Sequence, residues 1–357
     1  MYEDLVKRNE KLIEAIIRKA QEVYPASLAM IGIGGSFQTG DVYEKSDLDL
    51  LILINDDNGW QLGRTFIQKD LMVGHDLYCT KWEWLENDAQ YNDPNIAKLM
   101  DAKIVYCADE KYRQRLEKLR EKVREKLKQP FNRDDYDKAY KQFKDAKVAF
   151  CDLELSQNIN EALSSVGEML YYLENSVAMM NKRYFKRSVK RCLDEIQSMP
   201  IVPECFCENV EKIVATRDMD EIKDIAIKLL KSVESAFKEL ESKLGGTKAL
   251  PSESNISGTY EEMFSNWRNK MYHAVQLQNR HLSFASLCSF ESMLREIQTE
   301  VEIGKYDVFN VYDPMDLMKT AKGFDQLLNQ YLENYRKAHI KVKEYEDINE
   351  FIMEYEK

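Results

Sequence analysis

Two groups of residues in the stretch IGIGGSFQTGDVYEKSDLDLLIL, residues 31–53, are of types that do chemistry. Gly34-Gly35-Ser36 closes one apolar run, and Asp47-x-Asp49 opens the next. A strand that only had to fold would not set two carboxylates among buried residues. Like charges repel, and desolvating them is costly unless a cation compensates. Strand residues alternate faces, so Asp47 and Asp49 point the same way, about 7 Å apart. Carboxylates so spaced can share one or two octahedral Mg²⁺ ions, whose oxygen ligands lie at about 2.0–2.1 Å. Glycines admit a phosphate close to the backbone, N–H groups at a following helix start bind its charge, and Ser36 adds a hydroxyl donor. The segment GHDLY, 74–78, supplies Asp76 in an apolar context on a further strand. Asp76 is a candidate third metal ligand, or the general base that takes a proton from an attacking hydroxyl. The set suits a metal-bound nucleoside triphosphate and phosphoryl or nucleotidyl transfer, which asks for in-line positioning and charge neutralisation.

These residues need a rigid frame. Apolar positions Leu5, Leu12, Ile13, Ile16, Ile17 and Ala20 repeat at a helical period over 3–22, ended by Pro25. SLAMIGIGG reads as a buried strand and SDLDLLILI as a second that carries both aspartates. WQLGRTFIQKD reads as a short helix, LMVGHDLYCT as a third strand, KWEWLEND and PNIAKLMDA as helices, and KIVYC as a fourth strand. From Asn132 onward only helical periods appear, over 133–158, 160–182, 185–198, 207–245 with a break, 259–280, 283–302, 314–337 and 341–355. The expected fold is therefore an α/β N-terminal domain, a small mixed sheet with flanking helices, joined to a larger all-α C-terminal domain. Gln129-Pro130 marks the expected boundary, giving domains 1–130 and 131–357, and GGTKALPSESNISG, 245–258, is the clearest loop.

A chain of 357 residues with 44% hydrophobic content has apolar side chains enough for two cores. No run of about 18 apolar residues appears, so neither a membrane span nor a membrane partner is expected. The charged start MYEDLVKRNEKLIEA is unlike a secretion signal, and seven scattered cysteines fit a reducing compartment, so the expected location is cytoplasmic. Cys205-x-Cys207 lacks the further ligands that structural zinc needs. With a net charge of −11 and lysines and arginines interleaved with acids, no basic face for duplex nucleic acid is expected. The run EKYRQRLEKLREKVREKLK reads as a solvated helix laced with ion pairs. The acid excess is mildly friendly to a cationic small substrate.

The run GGSFQTGDVYEKSDLDLLIL resembles the signature of the DNA polymerase β-type nucleotidyltransferase superfamily: Gly-Ser, about ten residues, then Asp-x-Asp in an apolar strand. By this resemblance Gly34, Gly35 and Ser36 hold phosphate, Asp47 and Asp49 hold the metals of a two-metal Mg²⁺ site, and Asp76 matches the more variable third acid by order and strand context. The arrangement with a following helical domain is similar to the antibiotic nucleotidyltransferases, which act on aminoglycosides or lincosamides. That implies transfer of AMP from MgATP, or another nucleotide, onto a hydroxyl of a small acceptor, with release of pyrophosphate. In two-domain relatives basic side chains of the helical domain touch the triphosphate, which makes Lys182, Tyr184 and Lys186 of LENSVAMMNKRYFKRSVKR candidates here. The plainer reading of that segment is a helix end with dipole-complementing cations.

Plainer readings stand beside the others too. Gly34-Gly35 suits a tight turn and Asp47 a strand-entry cap, which leaves Asp49 and Asp76 unexplained. His75 points away from Asp76 by strand alternation and reads as a packed histidine. Arg268, Asn269 and His273 match the R-N-x-x-x-H spacing of HEPN ribonucleases, although Trp267, Met271 and Ala274 read as the core stripe of the same helix. Alternatives to a small-molecule transferase are a protein nucleotidyltransferase, a non-catalytic nucleotide-binding or regulatory protein of the same fold, and that ribonuclease. The acceptor and the oligomeric state, a homodimer included, are left open.

Overall fold

The computed structural model describes residues 2–245 and 248–357. The chain forms two compact units, Met1–Leu244 and Gly245–Lys357.

The first unit opens with α1 (Tyr2–Val23), followed by β1 (Leu28–Ile33), a one-turn helix α2 (Gly35–Thr39) and β2 (Leu50–Ile54). A hairpin of β3 (Arg64–Gln68) and β4 (Val73–Leu77) leads into β5 (Cys79–Lys81), α3 (Trp82–Asp88), α4 (Ala97–Asp101) and β6 (Lys103–Cys107). The four-stranded sheet has the order β5-β2-β1-β6, with β1 antiparallel to both neighbours and β2 parallel to β5. β1 and β2 are central, and their continuous apolar sequences follow from burial on two faces. Leu28, Ile31, Leu50, Ile52 and Ile54 pack with Ile13, Ile16 and Ala20 of α1. Ala29, Met30, Leu51 and Leu53 enter a second core on the opposite face. Each such side chain contributes about 1.5–3 kcal/mol on full burial. This alternation fixes the β2 register, because a slip of one residue would exchange the two faces.

The second core runs on through α5 (Glu110–Lys128), α6 (Arg133–Leu155), α7 (Ile159–Met180), α8 (Cys192–Gln197), α9 (Phe206–Ala215) and α10 (Met219–Leu244). Phe143, Leu173 and Phe237 are among its fully buried members. Gln129-Pro130 thus separates two helices of one unit, and α6 starts in a capping box between Asn132 and Asp135.

The second unit holds α11 (Glu253–Ile256), α12 (Thr259–Met263), a π-helical turn Phe264–Arg268, α13 (Asn269–Gln276), α14 (Arg280–Glu300), α15 (Leu317–Lys337) and α16 (Ile348–Tyr355). Its core gathers Met263, Met271, Phe290, Phe324, Tyr331 and Tyr335, and the Tyr335 hydroxyl donates to the Ile256 carbonyl at 2.8 Å. No described helix is long and apolar enough to cross a membrane.

The α/β region followed by a helical remainder is the expected fold class. Local differences have physical causes. Residues 60–70 are not a helix: a 3-10 turn, Asp57–Leu62, capped by Asp56, ends at Gly63, and β3 follows. β3 finds its partner in β4, which sequence periodicity does not reveal. Asp47 and Asp49 precede β2 rather than lie within it, since β2 starts at Leu50. Residues 185–191 are loop and 3-10 turn, so the helix expected from 185 starts at Cys192.

Gly323, in the middle of α15, offers a test of the second unit's packing. A Cβ there would lie 2.5 Å from Val311 Cβ, so the helix passes Val311 only because residue 323 lacks a side chain. Gly323→Ala should destabilise the protein by about 1–3 kcal/mol through overpacking, although alanine is the better helix former by about 1 kcal/mol. In a Val311→Gly background, where that Cβ is gone, Gly323→Ala should cost much less in urea unfolding.

Candidate functional site

The antiparallel ladder of β1 and β2 brings the glycine turn against the aspartates. Ile33 pairs with Leu50, and the Gly34 N–H extends the ladder by donating to the Asp49 carbonyl at 2.9 Å. Gly35 then takes a left-handed φ of +56°. A Cβ on Gly35 would fall 1.7 Å from Asp49 Oδ2, so the carboxylate occupies the space that any other residue would fill. The Ser36 backbone N–H favours the charge on that same carboxylate, and the Ser36 hydroxyl oxygen is buried with no partner.

Asp49 opens onto a cleft of about 400 Å³ whose lining includes Gly34, Gly35 and Ser36 together with Lys98, Asp101, Lys186, Arg187 and Lys190. Its carboxyl is held above the ordinary carboxylate range, first by loss of solvent among the surrounding protein atoms and next by the charge of Asp47. Lys98, Lys190 and the Ser36 N–H pull in the opposite direction. Asp47 is half-buried, beside Asp49. Lys98 also reaches Asp88, whose carboxyl is pushed up to about 6 by burial and by Asp93.

The cationic side of the cleft is built from several fixed points. The Glu195 carboxylate accepts the N–H groups of Lys186 at 2.9 Å and Arg187 at 2.7 Å. The Phe185 N–H donates to the Pro94 carbonyl, and the Tyr184 hydroxyl donates to Asp101 Oδ1 at 2.9 Å. Asp101 Oδ2 is buried without a partner. Arg187 and Arg191 lie 3.7 and 3.6 Å from the Asp41 carboxylate, which tethers this loop to the residues after α2.

The sequence candidates therefore fall in different places. Gly34, Gly35, Ser36, Asp49 and Lys186 line the cleft, and Asp47 flanks Asp49. Tyr184 lies behind the lining, against Asp101. Lys182 takes a left-handed φ of +50° and pairs with Asp135 at 2.6 Å, its side chain 7% and that of Asp135 2% exposed. Its ammonium belongs to that buried pair. Asp76 is exposed on β4, accepts the Thr65 hydroxyl at 2.9 Å and stands outside the cleft lining. His75, on the other face of β4, is buried and stacked on Phe66 with ring centroids 4.8 Å apart. In the second unit Arg268 binds Asp325 at 2.9 Å between the rings of Phe264 and Tyr272, and His273 is exposed beside Gln276.

Lys98, Asp101, Arg187 and Lys190 are cleft residues that the sequence reading did not name. Asp101 carried a signal, as an acid inside the apolar run NIAKLMDAKIVYC. Lys190 lay within the basic segment already singled out, and only the fold of the loop distinguishes it from Lys182.

Among the described residues no group of three or more His, Cys, Asp or Glu side chains is arranged to hold a metal ion. The two carboxylates nonetheless suit Mg²⁺, which is commonly bound by one or two carboxylates with substrate phosphates and water completing the octahedron. The unpartnered Ser36 hydroxyl and the Gly34-Gly35 turn beside them suit the phosphate.

Residues 11–140, which contain both the turn and the aspartates, match the family model described as a nucleotidyltransferase domain. That match supports a nucleotidyltransferase domain in this part of the chain. A solved nucleotidyltransferase-like protein from Exiguobacterium sibiricum 255-15 is similar at 11% identity, with a TM-score of 0.33, over 72% of this chain and 90% of that one. No curated protein matches the chain.

Two stability measurements separate structural from site residues. Lys182→Met leaves Asp135 buried and unpaired and should cost about 3–5 kcal/mol, whereas exposed Lys190→Met should change stability by no more than about 0.5 kcal/mol. Asp49 should behave in the opposite sense. Its folded-state pKa is raised, so the folded protein holds the proton more tightly and ionisation at higher pH lowers stability. Asp49→Asn should raise the melting temperature at pH 7, and the gain should vanish as pH falls below the ordinary carboxylate range. A wild-type melting temperature at pH 7 would contradict that assignment.

Proposed function

We propose that the protein is a metal-dependent nucleotidyltransferase that moves a nucleoside monophosphate, AMP from ATP in the first instance, onto a hydroxyl of a small-molecule acceptor. The observation that carries this reading is the Asp49 carboxylate clasped by Gly35 and Ser36, beside Asp47 and across a cleft from Lys98, Lys186 and Lys190. Asp47 and Asp49 would hold Mg²⁺, which when bound neutralises phosphate charge and orients the triphosphate. Ser36 and the turn N–H groups bind phosphate oxygens, and the cationic wall stabilises negative charge gathering on the departing pyrophosphate. The acceptor oxygen attacks the α-phosphorus, the bond to the bridging oxygen breaks, and the hydroxyl proton passes to a carboxylate. Asp76 is the third acid of this proposal. That role rests on the resemblance of its place in the chain order, and on β4 its carboxylate accepts the Thr65 hydroxyl. Asp41 and Asp101 on the cleft wall favour an acceptor bearing amines, as an aminoglycoside-like antibiotic does.

A second reading, a nucleotide-binding protein without turnover, is favoured by the bond between Asp76 and Thr65 outside the cleft. One experiment addresses both. ATP, GTP, CTP and UTP are titrated calorimetrically, with and without Mg²⁺, into the wild type and Asp47→Asn/Asp49→Asn, and pyrophosphate release is then followed with hydroxyl-bearing amines. Mg²⁺-dependent binding of one nucleotide, weakened at least tenfold in the double variant, is the expected result. Binding without release across acceptors favours the second reading. Binding of no nucleotide, or binding indifferent to both metal and mutation, overturns both.

A further inference from the structure

Asp47 has neighbours on its far side from the cleft that the proposed chemistry does not use. Arg8 of α1 donates through Nη2 to the Ser46 carbonyl at 2.7 Å, across 38 residues of sequence. The same guanidinium grips Asn9 Oδ1 through Nε at 3.1 Å and Nη2 at 2.9 Å. Ser46 is 1% exposed, and its hydroxyl accepts the Tyr43 N–H at 3.0 Å. The peptide that enters Asp47 is thus fastened from both ends of the Ser46 residue. The third guanidinium nitrogen, Nη1, is buried without a partner.

His75 comes from a third element, β4. It is 1% exposed, packed on Phe66 and bonded through Nε2 to Gln68 at 3.1 Å, while Nδ1 is buried without a partner. The charge of Asp47 acts on both Arg8 and His75. Arg8 of α1 and His75 of the β3–β4 hairpin, each with an orphaned buried nitrogen, share one small cleft and both feel the charge of Asp47. Unpartnered buried donors are rare, because each forfeits its hydration. A carboxylate that binds metal through one oxygen can use the other to take up such donors, and groups of this kind orient ligands and tune affinity.

We propose that Arg8 and His75 are positioning residues for Asp47, fixing the peptide that carries it and the direction in which its carboxylate meets the metal beside Asp49. This rests on the reading of Asp47 and Asp49 as the metal-holding pair. Two features distinguish it from simple attachment of α1 to the sheet. The hydrogen bond from Arg8 goes to the residue immediately before Asp47, and His75 contributes from a different element, β4.

The test uses the full chain and reads Mn²⁺ binding in the presence of ATP, from the signal of free Mn²⁺ in electron paramagnetic resonance, with no turnover needed. Arg8→Gln and Arg8→Lys should each raise the Mn²⁺ Kd about tenfold or more. The lysine keeps the charge and loses the two-pronged grip on Asn9 and Ser46. His75→Phe keeps the ring and its stack, deletes both nitrogens, and should raise the Kd several-fold; it carries the test should an Arg8 variant fail to fold. Ile13→Ala, which loosens α1 away from Asp47, should bind Mn²⁺ as the wild type does.

Wild-type Mn²⁺ affinity in the Arg8 and His75 variants, with affinity lost in Asp47→Asn, would overturn the positioning role and leave the metal pair standing. Wild-type affinity in Arg8→Lys alone would show that charge and not geometry matters, and would equally overturn it. An equal loss in Ile13→Ala would reduce the effect to loosening of the helix. Undiminished affinity in Asp47→Asn would remove the metal pair itself, and the positioning role with it.

Discussion

The contact between the Asp49 carboxylate and the Cα of Gly35 sets the geometry of everything around it. Three conditions must hold for it to form. β1 and β2 must pair with Ile33 opposite Leu50, residue 35 must lack a Cβ and accept a φ of +56°, and Leu48 and Leu50 must be drawn into the core so that Asp49 is turned away from it. The last two positions are linked, since strand alternation gives Leu48 and Leu50 one side and Asp49 the other. Moving the register by one residue would bury a carboxylate among Ile13 and Ile16 and push leucines into the cleft. The apolar interior of the sheet is therefore what makes the polar loop specific.

Having fixed Asp49, the fold leaves it in an electrostatic state that favours a cation. Loss of solvent and the neighbouring Asp47 both raise the free energy of the ionised carboxylate, and Lys98 and Lys190 offset this only in part. Sites with such unrelieved repulsion lower stability and are retained where binding uses it. The opposite wall is built on more stable interactions. The buried Lys182–Asp135 pair, the Glu195 contacts with two successive N–H groups and the Tyr184–Asp101 hydrogen bond hold residues 182–187, so that the flexible cations Lys186 and Arg187 extend from an anchored backbone.

Much of this was legible in the sequence, for definite reasons. The apolar run through residues 48–54, broken only at Asp49, and the period-3.6 runs beyond Asn132 are direct imprints of burial, and they revealed the sheet and the helical remainder. Gly34-Gly35-Ser36 and Asp47-x-Asp49 were legible because no packing argument accounts for them. Lys182 and Lys190 were not distinguishable in the same way. Both are lysines in one basic segment, and what separates them is that residue 182 turns left-handed toward Asp135, 47 positions earlier in the chain. Residues 60–70 failed for a related reason, since a short strand takes its identity from its partner, β4. Gln129-Pro130 and the glycine- and serine-rich stretch after Leu244 look alike as breaks in sequence. Only the shared core of α5 through α10 and the sheet tells which one parts two compact units.

The distribution of charge follows from the same logic. A chain with a net charge of −11 repels a polyanion at long range, so the triphosphate of the proposed reaction would have to be drawn in by local fields. Lys98, Lys186, Arg187 and Lys190 converge on one concave wall, where a low-dielectric surround strengthens their field over what the same residues would give on a flat surface. Asp41 pairs with Arg187 and Arg191, while Asp101 accepts the Tyr184 hydroxyl through Oδ1 and keeps a buried, unpartnered Oδ2. A wall made of lysines alone would attract phosphate without discriminating among acceptors. Under the proposed function, interleaved acids and bases would let one cleft attract an anionic donor and a cationic acceptor, each by contacts that the other does not use.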